Sequence, residues 1–155
     1  MPWRARYLVP RPHPLAVSVY LLVLLLGVFS VAGVFDFRAI NAIIGTSWQY
    51  MWEWLLTIGG ASALVGVNAK KDLEGGLLLE AAGALSAALG FFAYVAALGE
   101  AFGLPLDSRI TGWLFYLILG VGCGWRAIQA MRDRNLATKL GARIDQRRRQ
   151  GEEDV

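Results

Sequence analysis

Four long apolar runs, separated by short polar connections, dominate the hydrophobic pattern of this chain. They cover residues 15–34, 47–67, 76–98 and 110–130, and the only charged residues inside them are Glu53, Glu80 and Arg126. A helix needs about 20 largely apolar residues to cross a bilayer core of about 30 Å. The pattern therefore predicts an all-α integral membrane protein, a four-helix bundle whose membrane domain covers residues 15–131.

Two polar segments flank this domain. Residues 1–14 are basic and rich in proline, and residues 132–155 form a basic tail. In the tail, Leu136, Leu140 and Ile144 recur every four residues among basic side chains, which is typical of an amphipathic helix. We expect this C-terminal helix to lie on the inner leaflet of the membrane.

Positive charge is concentrated on one side of the predicted spans. If the N-terminus is inside, all of the 15 Lys and Arg except Arg38 and Arg109 fall on the inner side. Short cytoplasmic segments retain Lys and Arg, so both termini are expected to face the cytoplasm from the cytoplasmic membrane. The same charge predicts attraction to an anionic inner leaflet rather than to nucleic acid. The first run is longer than the roughly 7–15 apolar residues of a signal peptide, which favours a retained span.

Small residues form stripes in three of the four runs. The stripes contain Gly59 in the second run, Gly83, Ser86 and Gly90 in the third, and Gly120 and Gly124, spaced as GxxxG, in the fourth. Lipid gives helices no hydrophobic reason to associate, so close packing at small residues supplies much of the adhesion. The stripes predict contacts within one chain or between copies, and a homo-oligomer or a complex with other membrane proteins.

Aromatic residues crowd the start of the second run. Trp and Tyr favour the boundary between membrane and water, because their rings are apolar while their N–H and O–H groups need polar partners. An aromatic belt at the outer end of the second helix is therefore expected, formed by Trp48, Tyr50, Trp52 and Trp54.

The three charged residues within the runs are the candidates for function, because a charge at membrane depth is costly. Glu80 and Arg126 occur at similar depth on consecutive antiparallel helices, which predicts an ion pair. That pair would fix helix register, or it would line a proton-responsive gate; the alternative is that both groups extend to the headgroups without contact. Glu53 has no basic residue at its own depth, and we expect it to bond to indole N–H groups or to face water.

Sequence motifs of catalysis are missing from the chain. It contains no GxxxxGK[ST], GxGxxG, HExxH, CxxC or GxSxG, the motifs that bind phosphates, dinucleotides or metals or that supply a nucleophile. His13 and Cys123 are the only residues of their kinds, too few for a zinc or haem site. The expectation is a protein that is not an enzyme and binds no cofactor.

In architecture the chain resembles the small four-span membrane proteins encoded by phages of actinobacteria, several of which are called holins or holin-like. The resemblance rests on the basic Pro-rich start, the Trp-rich opening of the second run, the passage Leu79-Glu80-Ala81-Ala82-Gly83 and the Arg-rich tail. It implies self-association and permeabilisation of the host's cytoplasmic membrane for lysis, and it assigns no site residue. The alternatives are an accessory or transport-related membrane subunit without catalytic activity and a structural membrane protein.

Overall fold

A computed structural model describes residues 14–34, 45–69, 72–102 and 110–153, and all four segments are helical. The helices are α1 Pro14–Val31, α2 Thr46–Asn68, α3 Leu73–Phe102 and α4 Ile110–Glu153. The prediction of an all-α chain is confirmed, and each helix covers most or all of one apolar run. His13, the Pro-rich start and most of the first and third connections lie outside the described residues.

Of the helices in the described residues, three are long and apolar enough to cross a membrane. The apolar stretches are Pro14–Val31, Leu73–Gly99 and Trp113–Arg143, which supports a multi-pass membrane protein. α2 is less apolar because its first turns contain Gln49, Glu53 and a series of Trp and Tyr residues. Trp and Tyr suit the membrane interface although they add little to mean hydropathy.

The helices pack in chain order, each antiparallel to the next. Gly27 of α1 lies against Thr57 of α2, and Leu24 of α1 lies against Gly60 of α2. Residue numbers therefore rise along one helix as they fall along the other. The same relation holds between α2 and α3 and between α3 and α4. The bundle therefore has two ends: the Glu80 end, where α1 and α3 begin, and the Glu53 end, where α2 begins.

The backbones of α2 and α3 approach each other closely at several glycines. A Cβ atom added to Gly59 would lie 2.8 Å from the backbone oxygen of Gly83, and one added to Gly83 would lie 2.6 Å from the backbone oxygen of Gly59. Gly66 meets the backbone of Glu80 in the same way. Contacts this short leave no room for a side chain, which explains the glycines at these positions.

The other predicted packing residues also contact neighbours in the same chain. Ser86 Oγ donates a hydrogen bond to the backbone oxygen of Leu55, with a separation of 3.1 Å. Gly90 lies against Leu56, and Gly120 lies against Phe91 and Phe92. Gly124 is looser, since a Cβ there would lie 3.8 Å from that of Ala88, an ordinary contact. The small-residue stripes are thus used between helices of one chain.

α4 continues without interruption well beyond the predicted fourth span. Its 44 residues correspond to a helix about 66 Å long at 1.5 Å per residue, roughly twice the thickness of a bilayer core. A basic amphipathic helix on the inner leaflet was predicted for this part of the chain. Its residues are helical, but they continue the fourth helix instead of beginning a new one after it. Charged residues such as Arg132 and Arg134 are good helix formers, so the change in polarity near residue 131 does not end the helix.

Candidate functional site: two buried polar clusters

The first polar cluster joins α1, α3 and α4 around Glu80. Arg126 donates from both Nε and Nη2 to Glu80 Oε1, each at 2.8 Å. Tyr20 donates its hydroxyl to the same oxygen at 3.0 Å. Glu80 is 2 % exposed whereas the Arg126 side chain is 27 % exposed, so the carboxylate lies inside the bundle and the guanidinium lies at its margin. The structure brings the two predicted partners together.

The helix geometry explains why these three side chains meet. Tyr20 and Glu80 occur at similar distances from the starts of α1 and α3, and Arg126 is at the corresponding height on the antiparallel α4. Small residues around them, including Ala63, Ala84 and Ala127, are buried in one core cluster with Tyr20. These small side chains let three helices approach closely enough for a hydroxyl, a carboxylate and a guanidinium to touch.

The cluster has the chemistry of a satisfied ion pair. Three charge-assisted donors converge on one carboxylate oxygen, which offsets much of the cost of removing the carboxylate from water. Arg126 Nη1 points to Gln129 Oε1 at 3.5 Å, a long contact on the same helix. The pair links α3 to α4 at this height, and both predicted roles, fixing helix register and lining a proton-responsive gate, stay hypotheses.

The second polar cluster surrounds Glu53 at the opposite end of the bundle. Glu53 is 1 % exposed, so the water-facing alternative is wrong for this side chain. Its Oε1 accepts a hydrogen bond of 2.8 Å from Ser30 Oγ of α1 and another from Gln49 Nε2, one turn earlier on α2. The partners that the structure describes are thus a hydroxyl and a primary amide, and the predicted bond from an indole N–H stays a prediction.

An aromatic layer lies beside the Glu53 cluster and connects three helices. The ring centroids of Trp52 and Tyr94 are 5.0 Å apart, and those of Tyr94 and Tyr116 are 4.6 Å apart in an edge-to-face arrangement. Aromatic pairs at these distances add stability beyond the area that they bury. Trp113 Nε1 also donates to the backbone oxygen of Val95 at 3.2 Å, which links α4 to α3 at this level.

The predicted aromatic belt divides between core and surface. Trp48, Tyr50 and Trp54 are more than half exposed, but Trp52 is buried. Trp52 falls on the helix face that also carries Leu56 and Ala63, and that face is turned toward the core. The inclusion of Trp52 in the belt was therefore wrong, because the helix rotation assigns it to packing rather than to the interface.

Beyond Arg126, α4 also contacts the first turn of α3. Arg134 Nη2 lies 3.6 Å from Glu74 Oε1, and Thr138 Oγ1 donates to the same oxygen at 3.1 Å. Both residues of the ion pair are substantially exposed, so water weakens the attraction. The contacts hold the early part of the tail beside the start of α3.

Within the described residues, no group of three or more His, Cys, Asp and Glu side chains could hold a metal ion. Cys123 is buried in the main apolar core with Phe91 and Ala88. A packed thiol in such surroundings behaves as a small apolar group.

Comparison with known proteins finds no matching family model, no matching curated protein and no matching solved structure.

Sequence reasoning identified the charged members of both clusters but missed their neutral partners. Tyr20, Ser30 and Gln49 are ordinary residues in helical segments, and nothing in their spacing marks them. One signal was available: a polar side chain in α1 at the height of Glu80 or Glu53 is a natural donor, because buried carboxyl oxygens need partners.

Proposed function

We propose that this protein is a non-catalytic accessory or transport-related subunit of the cytoplasmic membrane. The observation that supports this proposal best is that the small-residue stripes and the charged intramembrane residues are engaged within one chain. A bundle that satisfies its own polar groups is suited to be a stable membrane module. It leaves a long basic helix available for a partner.

The proposed topology has four spans with both termini in the cytoplasm. α2 counts as a span because it packs antiparallel between α1 and α3, and its glycines meet their backbones along its length. The charge bias toward the Glu80 end supports a cytoplasmic position for that end.

Cysteine labelling in intact cells tests this topology. Cys123→Ala removes the buried native thiol, and single cysteines then replace the exposed Ser47 at the Glu53 end or the exposed Gln146 of the tail. A membrane-impermeant maleimide is expected to label position 47 from outside, and position 146 only after the membrane is opened. Labelling of position 146 from outside would contradict the orientation.

The proposed partner surface is the part of α4 beyond the membrane. Leu136 and Leu140 are 58 % and 49 % exposed there, one helical turn apart, with exposed basic residues around them. Exposed apolar residues on a solvated helix favour a protein contact, as in a helix-in-groove complex.

A pair of neighbouring substitutions tests this surface. Leu136→Glu is expected to abolish co-purification of a stoichiometric partner from the native host. Asn135→Glu adds the same charge at the adjacent exposed residue and is expected to retain the partner. Both variants should keep the thermal stability of the detergent-solubilised bundle. Equal recovery of the partner with both variants would count against the surface.

The second candidate is a holin-like protein that permeabilises the cytoplasmic membrane for host lysis. One observation favours it: α1 and α4 expose many large apolar side chains, among them Phe29, Ile118 and Val121, and such surfaces allow clustering of copies in a membrane. Substitution of Gly120 by Ile is not a clean test of this clustering. Gly120 packs against Phe91 and Phe92 within the chain, so the larger side chain would damage the fold itself.

Induction of the chain alone discriminates the two functions. The accessory-subunit proposal expects a membrane-potential dye to report an intact potential, with growth continuing, over several generations. Collapse of the potential and dye leakage would instead favour the holin-like function, provided that a destabilised control such as Glu80→Gln, expressed to the same level, does not cause the same leakage.

A further inference from the structure

A groove of about 450 Å³ runs along the surface of the bundle between α1 and α4. Its walls are apolar and include Leu15, Val19 and Trp125, while Arg126 and Gln129 contribute polar groups near the Glu80 end. The volume falls in the range of about 300–1,000 Å³ that is typical of small-molecule sites. The groove combines a long apolar channel with a localised cationic and amide end.

Gly122 makes the middle of the groove deep. A Cβ atom added to this glycine would have no heavy atom within 4 Å, in contrast to the tight surroundings of Gly59 or Gly83. The small residue here therefore serves no helix contact in the described part of the chain. It leaves open space that an acyl chain can occupy.

Arg126 retains hydrogen-bonding capacity at the groove. A guanidinium has five N–H donors, and the two bonds to Glu80 use Nε and Nη2, while Nη1 has the 3.5 Å contact with Gln129. Glu80 is 2 % exposed behind the 27 % exposed arginine. A molecule in the groove therefore meets the guanidinium rather than the carboxylate.

We infer that the groove binds one acyl chain of an anionic phospholipid, with the phosphate end accepting hydrogen bonds from Arg126 and Gln129. The apolar walls favour the chain, and the guanidinium favours a phosphate oxygen over a neutral or positively charged group. Charge complementarity and the polarity gradient along the groove both point to this ligand. The site is independent of whether the protein serves as an accessory subunit or permeabilises membranes.

Fluorescence quenching tests the inference, because Trp125 lines the groove. The full-length protein is placed in phosphatidylcholine vesicles that contain a small fraction of phosphatidylglycerol with brominated acyl chains. The difference between wild type and Trp125→Phe isolates the emission of Trp125. We expect brominated phosphatidylglycerol to quench this emission with an affinity about fivefold higher than brominated phosphatidylcholine, the preference that one basic residue gives.

Two matched glycine variants make the test specific. Gly122→Leu fills the groove and is expected to abolish the preferential quenching. Gly99→Leu, at a glycine that also has open space around it but lies on α3 outside the groove, should leave the preference unchanged. Both variants are expected to keep the wild-type unfolding temperature in detergent.

Two results would overturn the inference. The first is equal quenching of Trp125 by the two lipids, with the same quenching in Gly122→Leu. It would mean that the groove is filled by bulk lipid. A fall in the mass of the detergent-solubilised protein from dimer to monomer in Gly122→Leu, measured by light scattering, would mean that a second copy occupies the groove.

Discussion

Glu80 and Glu53 are equally well buried, yet among the described residues Glu80 has a cationic partner and Glu53 has neutral partners. Glu80 accepts bonds from the Arg126 guanidinium and the Tyr20 hydroxyl, whereas Glu53 accepts from the Ser30 hydroxyl and the Gln49 amide. A charge pair holds α3 and α4 together at one end, and a network of neutral donors joins α1 to α2 at the other. The two ends of one bundle thus show two ways of keeping a carboxyl group away from water.

Replacing each acid by its amide should separate the two ends most clearly. Glu80→Gln removes the counter-charge of Arg126 and is expected to cost about 3–5 kcal/mol, as when one partner of a buried pair is lost. Glu53→Gln retains an acceptor oxygen for Ser30 and Gln49, so its expected cost is below about 1 kcal/mol. Urea or SDS unfolding of the two variants in the same detergent measures the difference. Similar costs would show that Glu53 also depends on a charge.

The next largest effect is expected at the contact of α2 with α3. Gly83→Ala places a methyl group against the backbone of Gly59 and Ala63 and should cost about 1–3 kcal/mol. Gly122→Ala enters open space, so only the better helix propensity of alanine counts, at about 1 kcal/mol of stabilisation or less. Thermal unfolding of both variants provides the comparison. A neutral Gly83→Ala would contradict the tight packing of these helices.

The neutral network at the Glu53 end can be weakened by removing a single hydroxyl. Ser30→Ala deprives Glu53 of one donor in a buried setting and is expected to cost about 1–2 kcal/mol. Ser18→Ala is the control, because Ser18 is exposed and bonds only to a carbonyl of its own helix in the described structure. Its expected cost is within about 0.5 kcal/mol. Equal stability of the two variants would argue against a structural role for the Ser30 bond.

The smallest effect is expected where α4 leaves the bundle. Arg134→Ala removes an exposed ion pair with Glu74 and should cost about 0.2–1 kcal/mol. The cost should shrink as salt is raised from low to physiological concentrations, because salt screens exposed charges. Stability measured at both salt concentrations tests this. A cost that does not depend on salt would indicate that packing of the arginine stem, not charge, is lost.

Within the described residues, the positions of the apolar runs were enough to predict the helices that contain them and the Glu80–Arg126 pair. Apolar runs of spanning length define helices, and consecutive antiparallel helices bring residues at equal depth together. Which face of a helix is turned toward the core was harder to predict. In α2, for example, small or aromatic residues occur on more than one face. That ambiguity placed Trp52 in the belt and left the partner of the small-residue stripes undecided.

The length of α4 shows a different limit of sequence reasoning. Hydropathy falls sharply after residue 131, but a helix ends only where capping residues, glycine or proline favour another conformation. Gly141 is the only glycine or proline between residues 125 and 150, and a single glycine costs only about 1 kcal/mol in a helix. The fall in hydropathy therefore predicted a change of polarity near residue 131, whereas the helix itself continues to Glu153.

An unbroken α4 makes the basic tail and the Arg126 guanidinium parts of one rod. If a partner turns or pulls the tail, the rod carries that movement inward, and the guanidinium has to slide past the carboxylate that it holds. Force applied tens of ångströms away would then reach the contact of Arg134 with Glu74 and, beyond it, Glu80 and Tyr20.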